Sequence, residues 1–264
     1  MKAIETISCN PAKKIYFVSD FHLGAPNAKE SALRETRIVQ WLEKISEDAQ
    51  SVFLLGDIFD FWFEYKHVVP KGYVRLLGKL AEMADRGIDL RLFTGNHDLW
   101  TFGYLEHEIG MKIYRKPHLF KMDETLCLIG HGDGLGLGDQ GYKFIKTILT
   151  CRLNQRLFAL LHPWIGAGLA NFCSRLSRAK TGKTNAVFQS NKKETLSGFC
   201  KHYLLKQNSD VKYFIFGHCH LPLEIKLSET STYFNTGDWL NYDSYLEWRM
   251  ENGEWRMECV KGIK

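Results

Sequence analysis

Five short apolar runs in this chain stop abruptly, and each stops at residues of the types that can ligate metal ions. They are KIYFVSD, SVFLLGD, LRLFTGNHD, TLCLIGHGD and KYFIFGHCH. A short, nearly continuous run of β-branched, aliphatic and aromatic residues reads as a strand buried on both faces. Between the early runs, apolar residues recur at helical spacing. Leu33, Ile38, Trp41, Leu42 and Ile45 form one such set, and Val74, Leu77, Leu80 and Met83 another. Strands alternating with helices predict a layered α/β fold. Further on, STYFNTGDW, SYLEWRME and EWRMECVK predict antiparallel strands, the last two joined by the reversal ENGE.

The residues at the strand ends form a set. Asp20 and His22 follow the first run as D-x-H, and Asp57 follows the second in GDIFD. Asn96 follows the third in GNHD, His131 the fourth in GHGD, and His218 and His220 the fifth in GHCH. In open α/β sheets, ligands gather beyond the carboxyl ends of the strands, so these seven side chains are expected to converge. Singly, each string is ordinary, and GNHD reads equally well as a turn. Five of them, each behind a buried strand, are not explained by packing. Two divalent ions about 3.5–4 Å apart clamp a phosphoryl group and activate a water between them. Such a pair needs a bridging carboxylate, for which Asp57 is the candidate. Mixed nitrogen and oxygen donors suit Mn²⁺, Fe²⁺ or Zn²⁺. Alternation along a strand is expected to put Asp20 and His22 on one face, and likewise His218 and His220, with Cys219 turned away.

With 264 residues, 45% hydrophobic and 25% charged, the chain is expected to form one globular domain over 1–264. The seven cysteines include no CxxC pair, and the opening MKAIETISCNPAKK has no apolar run. Free thiols and a cytoplasmic setting are therefore expected. No uncharged stretch of about 20 apolar residues is present to span a membrane.

Residues 140–193 stand apart. They hold ten Lys and Arg residues and no Asp or Glu, so they carry +10 of a chain at +5 and leave the remainder at −5. Ile145, Ile148, Leu149, Leu153, Leu157, Leu160 and Leu161 fall on one helical face. After the break HPWIGAG, Leu169, Phe172, Cys173 and Leu176 mark a second helical piece. This basic helical insertion is expected to meet anionic ligands or an anionic membrane surface rather than to present a merely solvated face.

SDFHLG, GDIFD, GNHD, GHGD and GHCH together resemble the signature of the calcineurin-like metallophosphoesterases, over about Ile15 to Trp248. The resemblance implies a four-layer α/β/β/α sandwich with a two-metal site and a helical lid. Carried over by position, it implies one ion on Asp20, His22, Asp57 and His220, and another on Asp57, Asn96, His131 and His218. It further implies that His97 contacts the phosphoryl group or assists the leaving group. Asp60 would orient that imidazole, and Asp98 counts among the catalytic residues.

The insertion GDQGYKFIKTILTCRLNQRLFALLHPW resembles the lid of the UDP-2,3-diacylglucosamine pyrophosphatases of lipid A biosynthesis. Those enzymes convert a UDP-linked diacylated glucosamine to the lipid monophosphate, lipid X, and UMP. This narrower resemblance implies substrate contacts at Asn96, His97, Asp139 and His218, and at Ser177, Arg178, Lys180 and Lys183. It implies Mn²⁺ as the metal and peripheral association with the inner membrane. Trp62 fits the aromatic residue often found after the bridging Asp. One position departs: the pyrophosphatases typically read GNRD where this chain has His97. Arg would be fixed in charge with a forked grip on phosphate, whereas His transfers protons. The alternative is therefore a metallophosphoesterase for another nucleotide diphosphate or a phosphodiester. A nucleic-acid-binding role, with Tyr142, Phe144 and Phe158 stacking on bases, is disfavoured because these rings largely share the apolar helical face.

Overall fold

Successive side chains of a strand point to opposite sides, and in this protein each side finds its own layer. The computed structural model describes residues 4–136, 140–170, 172, 185–206 and 210–261, with backbone alone for 185–193. The five apolar runs form β2 (Lys14–Val18), β3 (Ala49–Leu54), β4 (Asp89–Phe93), β7 (Thr125–Ile129) and β8 (Tyr213–Phe216). From β2 to β4, Tyr16, Val18, Val52, Leu54, Leu90 and Leu92 pack beneath two helices, α1 (Ala28–Ile45) and α2 (Val74–Asp85). Their alternates Phe17, Phe53 and Phe93 meet Phe120, Cys127, Ile129 and Ile215 of the opposite sheet. That sheet's other face buries Leu128, Phe214 and Phe216 against Leu196, Cys200 and Tyr203 of α6 (Asn185–Lys206). Helix, sheet, sheet and helix are thus stacked in four layers, as expected.

One sheet runs β12-β11-β2-β3-β4-β5, with β5 at Lys112–Tyr114, β11 at Tyr245–Glu251 and β12 at Glu254–Val260. The other runs β1-β6-β7-β8-β10-β9, with β1 at Ile4–Ile7, β6 at His118–Met122, β9 at Pro222–Lys226 and β10 at Thr232–Thr236. Strands β2, β3 and β4 are mutually parallel, and so are β7 and β8, so their carboxyl ends gather within each sheet. The ENGE reversal joins β11 to β12, with Asn252 and Gly253 both at positive φ. Strands β1, β5, β6 and β9 lie outside the expected set. Three of them are sheet edges, where half-exposed residues weaken the apolar signal.

Helix α1 is capped by Asn27, whose side chain accepts the Glu30 N–H at 3.0 Å. It buries Ile38, Trp41, Leu42 and Ile45 as expected, but Leu33 is 58% exposed because it falls off that stripe. In α2 the buried apolar residues are Leu76, Leu80 and Met83, while Val74 faces solvent. No side chain of its own caps α2. Instead Glu35 of α1 accepts the N–H groups of Arg75 and Leu76, both at 3.1 Å.

The single apolar face expected over 145–161 is broken into α4 (Gln140–Thr150) and α5 (Arg152–Ala159), because Cys151 is extended. Residues 163–170 are helical. A short α3 (Tyr104–Ile109) leads into β5. No helix among the described residues is long and apolar enough to cross a membrane.

Phe53 joins the sheets, stacking on Phe17 at 4.9 Å and meeting Phe120 edge-on at 5.3 Å. Phe53→Ala is expected to destabilise the fold by about 3–5 kcal/mol, read as a lower denaturant midpoint at unchanged m-value.

Candidate metal centre

The strands end before the ligand-bearing residues begin. Strand β2 stops at Val18, and Asp20 and His22 take left-handed backbone angles of φ 56° and 42°. Asp57, His218 and His220 do the same at φ 54°, 67° and 56°. This corrects the expectation that strand alternation aligns D-x-H and H-x-H. The side chains converge because the chain curls, a backbone arrangement that costs on the order of 1–3 kcal/mol per residue and clusters at functional sites. The β2 loop is tied to the β3 loop by Asp20 N–H to Gly56 O at 3.0 Å and His22 N–H to Asp57 O at 2.9 Å. Glycines permit the approach. A Cβ on Gly95 would collide with Asp57, and one on Gly217 with Ser19.

Among the described residues, three groups of three have ligand atoms within 4.8 Å of one another: Asp20, His22 and His220; Asp57, His131 and His218; and His22, Asp60 and His97. In the first, Asp20 Oδ1 lies 3.6 Å from His22 Nε2 and 3.4 Å from His220 Nε2. The other oxygen of Asp20 accepts the His218 N–H at 2.9 Å and the Ser19 hydroxyl. Asp57 joins the groups, its Oδ2 lying 3.6 Å from His22 Nε2 and 3.4 Å from His131 Nε2. Its Oδ1 accepts the His97 N–H at 2.9 Å. His218 and His220, two residues apart, thus serve different groups, while Cys219 is buried against Tyr233.

The imidazoles are set by their outer nitrogens. His131 Nδ1 donates to Leu55 O at 2.6 Å, and His220 Nδ1 pairs with Asp238 Oδ2 at 3.2 Å. Both rings thereby turn Nε2 inward, the usual arrangement behind a metal-bound histidine. Asp20 Oδ1, His22 Nε2, Asn96 Oδ1 and His131 Nε2 are buried with no hydrogen-bond partner among the described residues. Buried polar atoms are normally paired. Four without partners, all nitrogen or oxygen donors, fit divalent cations in the centre.

The electrostatics agree. Burial favours the neutral acid at Asp20, yet His220 above all, with His22 and His131, holds its pKa at about 2. Asp57 is likewise held well below the usual carboxylate range, against burial, chiefly by His131 and His97. Burial opposes protonation of His22, but Asp20, Asp60 and Asp57 raise it to about 10. His131 is raised to about 9 against burial, mainly by Asp57. The same carboxylates that favour protonation of these imidazoles would favour a cation, so metal ions and protons would compete here.

His97 lies beside this centre, its ring 4.9 Å from that of His22. Its Nδ1 donates to the main-chain carbonyl of Asp60 at 2.9 Å, while the Asp60 carboxylate is 3.7 Å away. Asp60 therefore orients His97 through its backbone rather than through its carboxylate alone. That carboxylate also faces His22 Nδ1 at 3.6 Å. Asp98 braces loops, accepting the N–H of Gly95 at 2.6 Å and of Ile58 at 2.8 Å. Trp62 is a core residue stacked on Phe59 at 4.3 Å. Asp139, Ser177, Arg178, Lys180 and Lys183 lie outside the described residues.

Sequence reasoning missed Asp238. It is fully buried, pairs with His220, and accepts from the Asn241 N–H at 2.8 Å. Its signal was legible, since TGDW sets Gly-Asp behind the apolar β10 just as LLGD does behind β3. Asp133 was also missed as a fastening point for α4, where it binds Lys146 at 2.6 Å and the Tyr142 hydroxyl.

Residues 13–222 match the family model for calcineurin-like phosphoesterase. The chain is 33% identical over 252 residues to the UDP-2,3-diacylglucosamine hydrolase of Porphyromonas gingivalis, covering 89% of this chain and 94% of that one. It is 27% identical over 247 residues to the enzyme of the same name from Haemophilus influenzae, covering 92% and 97%.

Asp238→Asn is expected to weaken divalent-metal binding by about 10–100-fold, measured by calorimetric titration with Mn²⁺, with an unchanged far-UV circular dichroism spectrum.

Proposed function

The chain belongs to the calcineurin-like phosphoesterase family and is a metal-dependent hydrolase, and from that premise we propose that it hydrolyses the pyrophosphate of UDP-2,3-diacylglucosamine to UMP and the lipid monophosphate. The observation that carries the chemistry is the Asp57 carboxylate shared between two groups of ligands. One ion would be held by Asp20, His22, Asp57 and His220, the other by Asp57, Asn96, His131 and His218, with Mn²⁺ the favoured metal. Bound there, two divalent ions supply Lewis acidity and an activated water.

The protein's own groups do the rest. Donation from His97 Nδ1 to Asp60 O fixes the ring and leaves Nε2 for the substrate. Burial, the largest influence, lowers the His97 pKa, while the nearby Asp57 and Asp60 carboxylates favour its protonation. The role proposed for it is general acid, delivering a proton from Nε2 to the leaving oxygen. Asp98 and Asp238 are positioning residues, the first through backbone N–H groups and the second through His220.

The reading of the substrate rests on the relatives and on the basic helical segment 140–193, which we take as a lid. Phe144, Ile145, Leu153, Leu157, Leu160 and Trp164 of this segment are all more than half exposed. A large exposed apolar surface marks an interaction site, and each acyl CH₂ sheltered there contributes roughly 0.8 kcal/mol. The segment is held close to the proposed centre. Trp100, four residues after Asn96, donates from its indole to Leu149 O at 2.8 Å. Phe158 packs on Trp100 at 4.6 Å and on Phe63 at 4.8 Å. The same apolar face, with its lysines and arginines, would rest on the anionic cytoplasmic surface of the inner membrane.

A second reading follows from His97 where the pyrophosphatases typically carry Arg. In it, the chain hydrolyses another nucleotide diphosphate or a phosphodiester. Incubation with Mn²⁺ and the UDP-lipid is expected to release UMP. No release at saturating substrate, with turnover of a water-soluble phosphodiester, would establish the second reading instead.

Asp57→Ala and His131→Ala are expected to abolish turnover while the circular dichroism spectrum is retained. His97→Ala is expected to lower kcat by about 10²–10⁴ and to change KM much less; a rise in KM alone would leave His97 only a grip on phosphate.

A further inference from the structure

A cavity of about 670 Å³ opens beside His131, between the end of β4, the β5–β6 loop and α4. Arg115, Lys116, Lys143 and Lys146 line it, and Asp133 is the single acid among the described residues that do. Lys146 already neutralises Asp133 at 2.6 Å, which leaves the cavity net cationic. Phe199 and Tyr203 of α6 form part of an apolar wall. Cavities of several hundred Å³ with an apolar wall and a few convergent polar groups are of ligand size.

A second feature is independent of the charge. Thr94 lines the same cavity and is 5% exposed, yet its hydroxyl has no hydrogen-bond partner among the described residues. Its backbone N–H is already used, donating to Tyr114 O at 2.9 Å. A buried hydroxyl without a partner is disfavoured unless a ligand completes it. Helix α4 divides this space from the apolar lid surface. Lys143, Lys146, Thr147 and Thr150, at one helical spacing, face the cavity, whereas Phe144, Ile145 and Ile148 are exposed to solvent.

We propose that this cavity is the nucleotide subsite, taking the nucleoside monophosphate half of the substrate while the acyl chains lie on the other side of α4. The assignment rests on the hydrolase reading above. His131, a proposed metal ligand, also lines the cavity, so the cavity adjoins the proposed centre. Arg115 is held by Thr101, whose carbonyl accepts from Nη2 at 2.7 Å, and by the Glu106 carboxylate, 3.7 Å from the same nitrogen, which leaves Lys116 and Lys143 as the cations not paired with an acid among the described residues lining the cavity. The Thr94 hydroxyl, Arg115 and Lys116 would hold phosphate and ribose oxygens, and the apolar wall would take the base.

The test is calorimetric titration of the Mn²⁺-loaded full chain with UMP, glucosamine 1-phosphate and inorganic phosphate. Arg115→Ala/Lys116→Ala and Thr94→Val are each expected to weaken UMP binding about tenfold or more. Thr94→Ser is expected to restore it. Affinity for glucosamine 1-phosphate, metal content by mass spectrometry and circular dichroism are expected to stay as in the wild type, and inorganic phosphate is expected to lose less affinity than UMP. UMP affinity unchanged in these variants, no UMP binding by the wild type, or a loss confined to glucosamine 1-phosphate would each overturn the assignment. The two readings fail separately. Variant-sensitive UMP binding without UMP release from the lipid would sink the substrate proposal alone. Release with variant-insensitive UMP binding would sink the subsite alone.

Discussion

The Asp57 carboxylate is the constraint on which the centre depends. It is almost fully buried, and its two oxygens do different work. One fastens the GNHD loop through the His97 N–H, and the other lies between His22 and His131. A buried carboxylate is tolerable only among hydrogen bonds and positive charge. Here Asp20 and Asp98 are buried as well, and burial together with Asp57 pushes the Asp98 pKa up to about 6. So much negative charge in one place demands either protonated imidazoles or divalent cations. That demand makes the centre a receptor for divalent cations.

That demand shapes the fold around it. Asp57 comes from one sheet and His131 from the other, so the second ligand group exists only while the sheets stay face to face. The Phe17, Phe53 and Phe120 rings between the sheets set that spacing. The loops must then approach more closely than side chains allow, which accounts for a glycine opening each of GDIFD, GNHD, GHGD and GHCH. At Asp20, His22, Asp57, His218 and His220 the backbone turns left-handed, and the strain is borne by the packed strands just before them.

What could be read from the sequence followed from how local the signal was. Five central strands were legible because both of their faces are buried, which makes the apolar run continuous. The proposed ligands were legible because each sits two to four residues beyond such a run. Edge strands such as β9 (PLEIK) were not, since one side faces solvent and the pattern blurs. Leu33 and Val74 misled because nearly periodic spacing cannot tell the buried stripe from its flank. The means of convergence at Asp20 and His22 was misread too, because left-handed turns at non-glycine residues leave no mark in the sequence. Asp238 was missed for want of comparing TGDW with the other strand-end Gly-Asp string.

Helix α4 carries the remaining logic. A helix in a folded domain normally buries one stripe, yet α4 buries no residue at all and exposes its apolar one. Its polar stripe instead reaches the protein, where Lys146 and Tyr142 bind Asp133, two residues from His131. Trp100 holds the far end through Leu149. A helix oriented in this inverted sense is held in place by hydrogen bonds and ion pairs, not by hydrophobic burial. Its apolar face is therefore left for something else, and the fastening points lie within a few residues of His131 and Asn96. On the proposed function, whatever covers that face is brought within reach of the ions that cleave it.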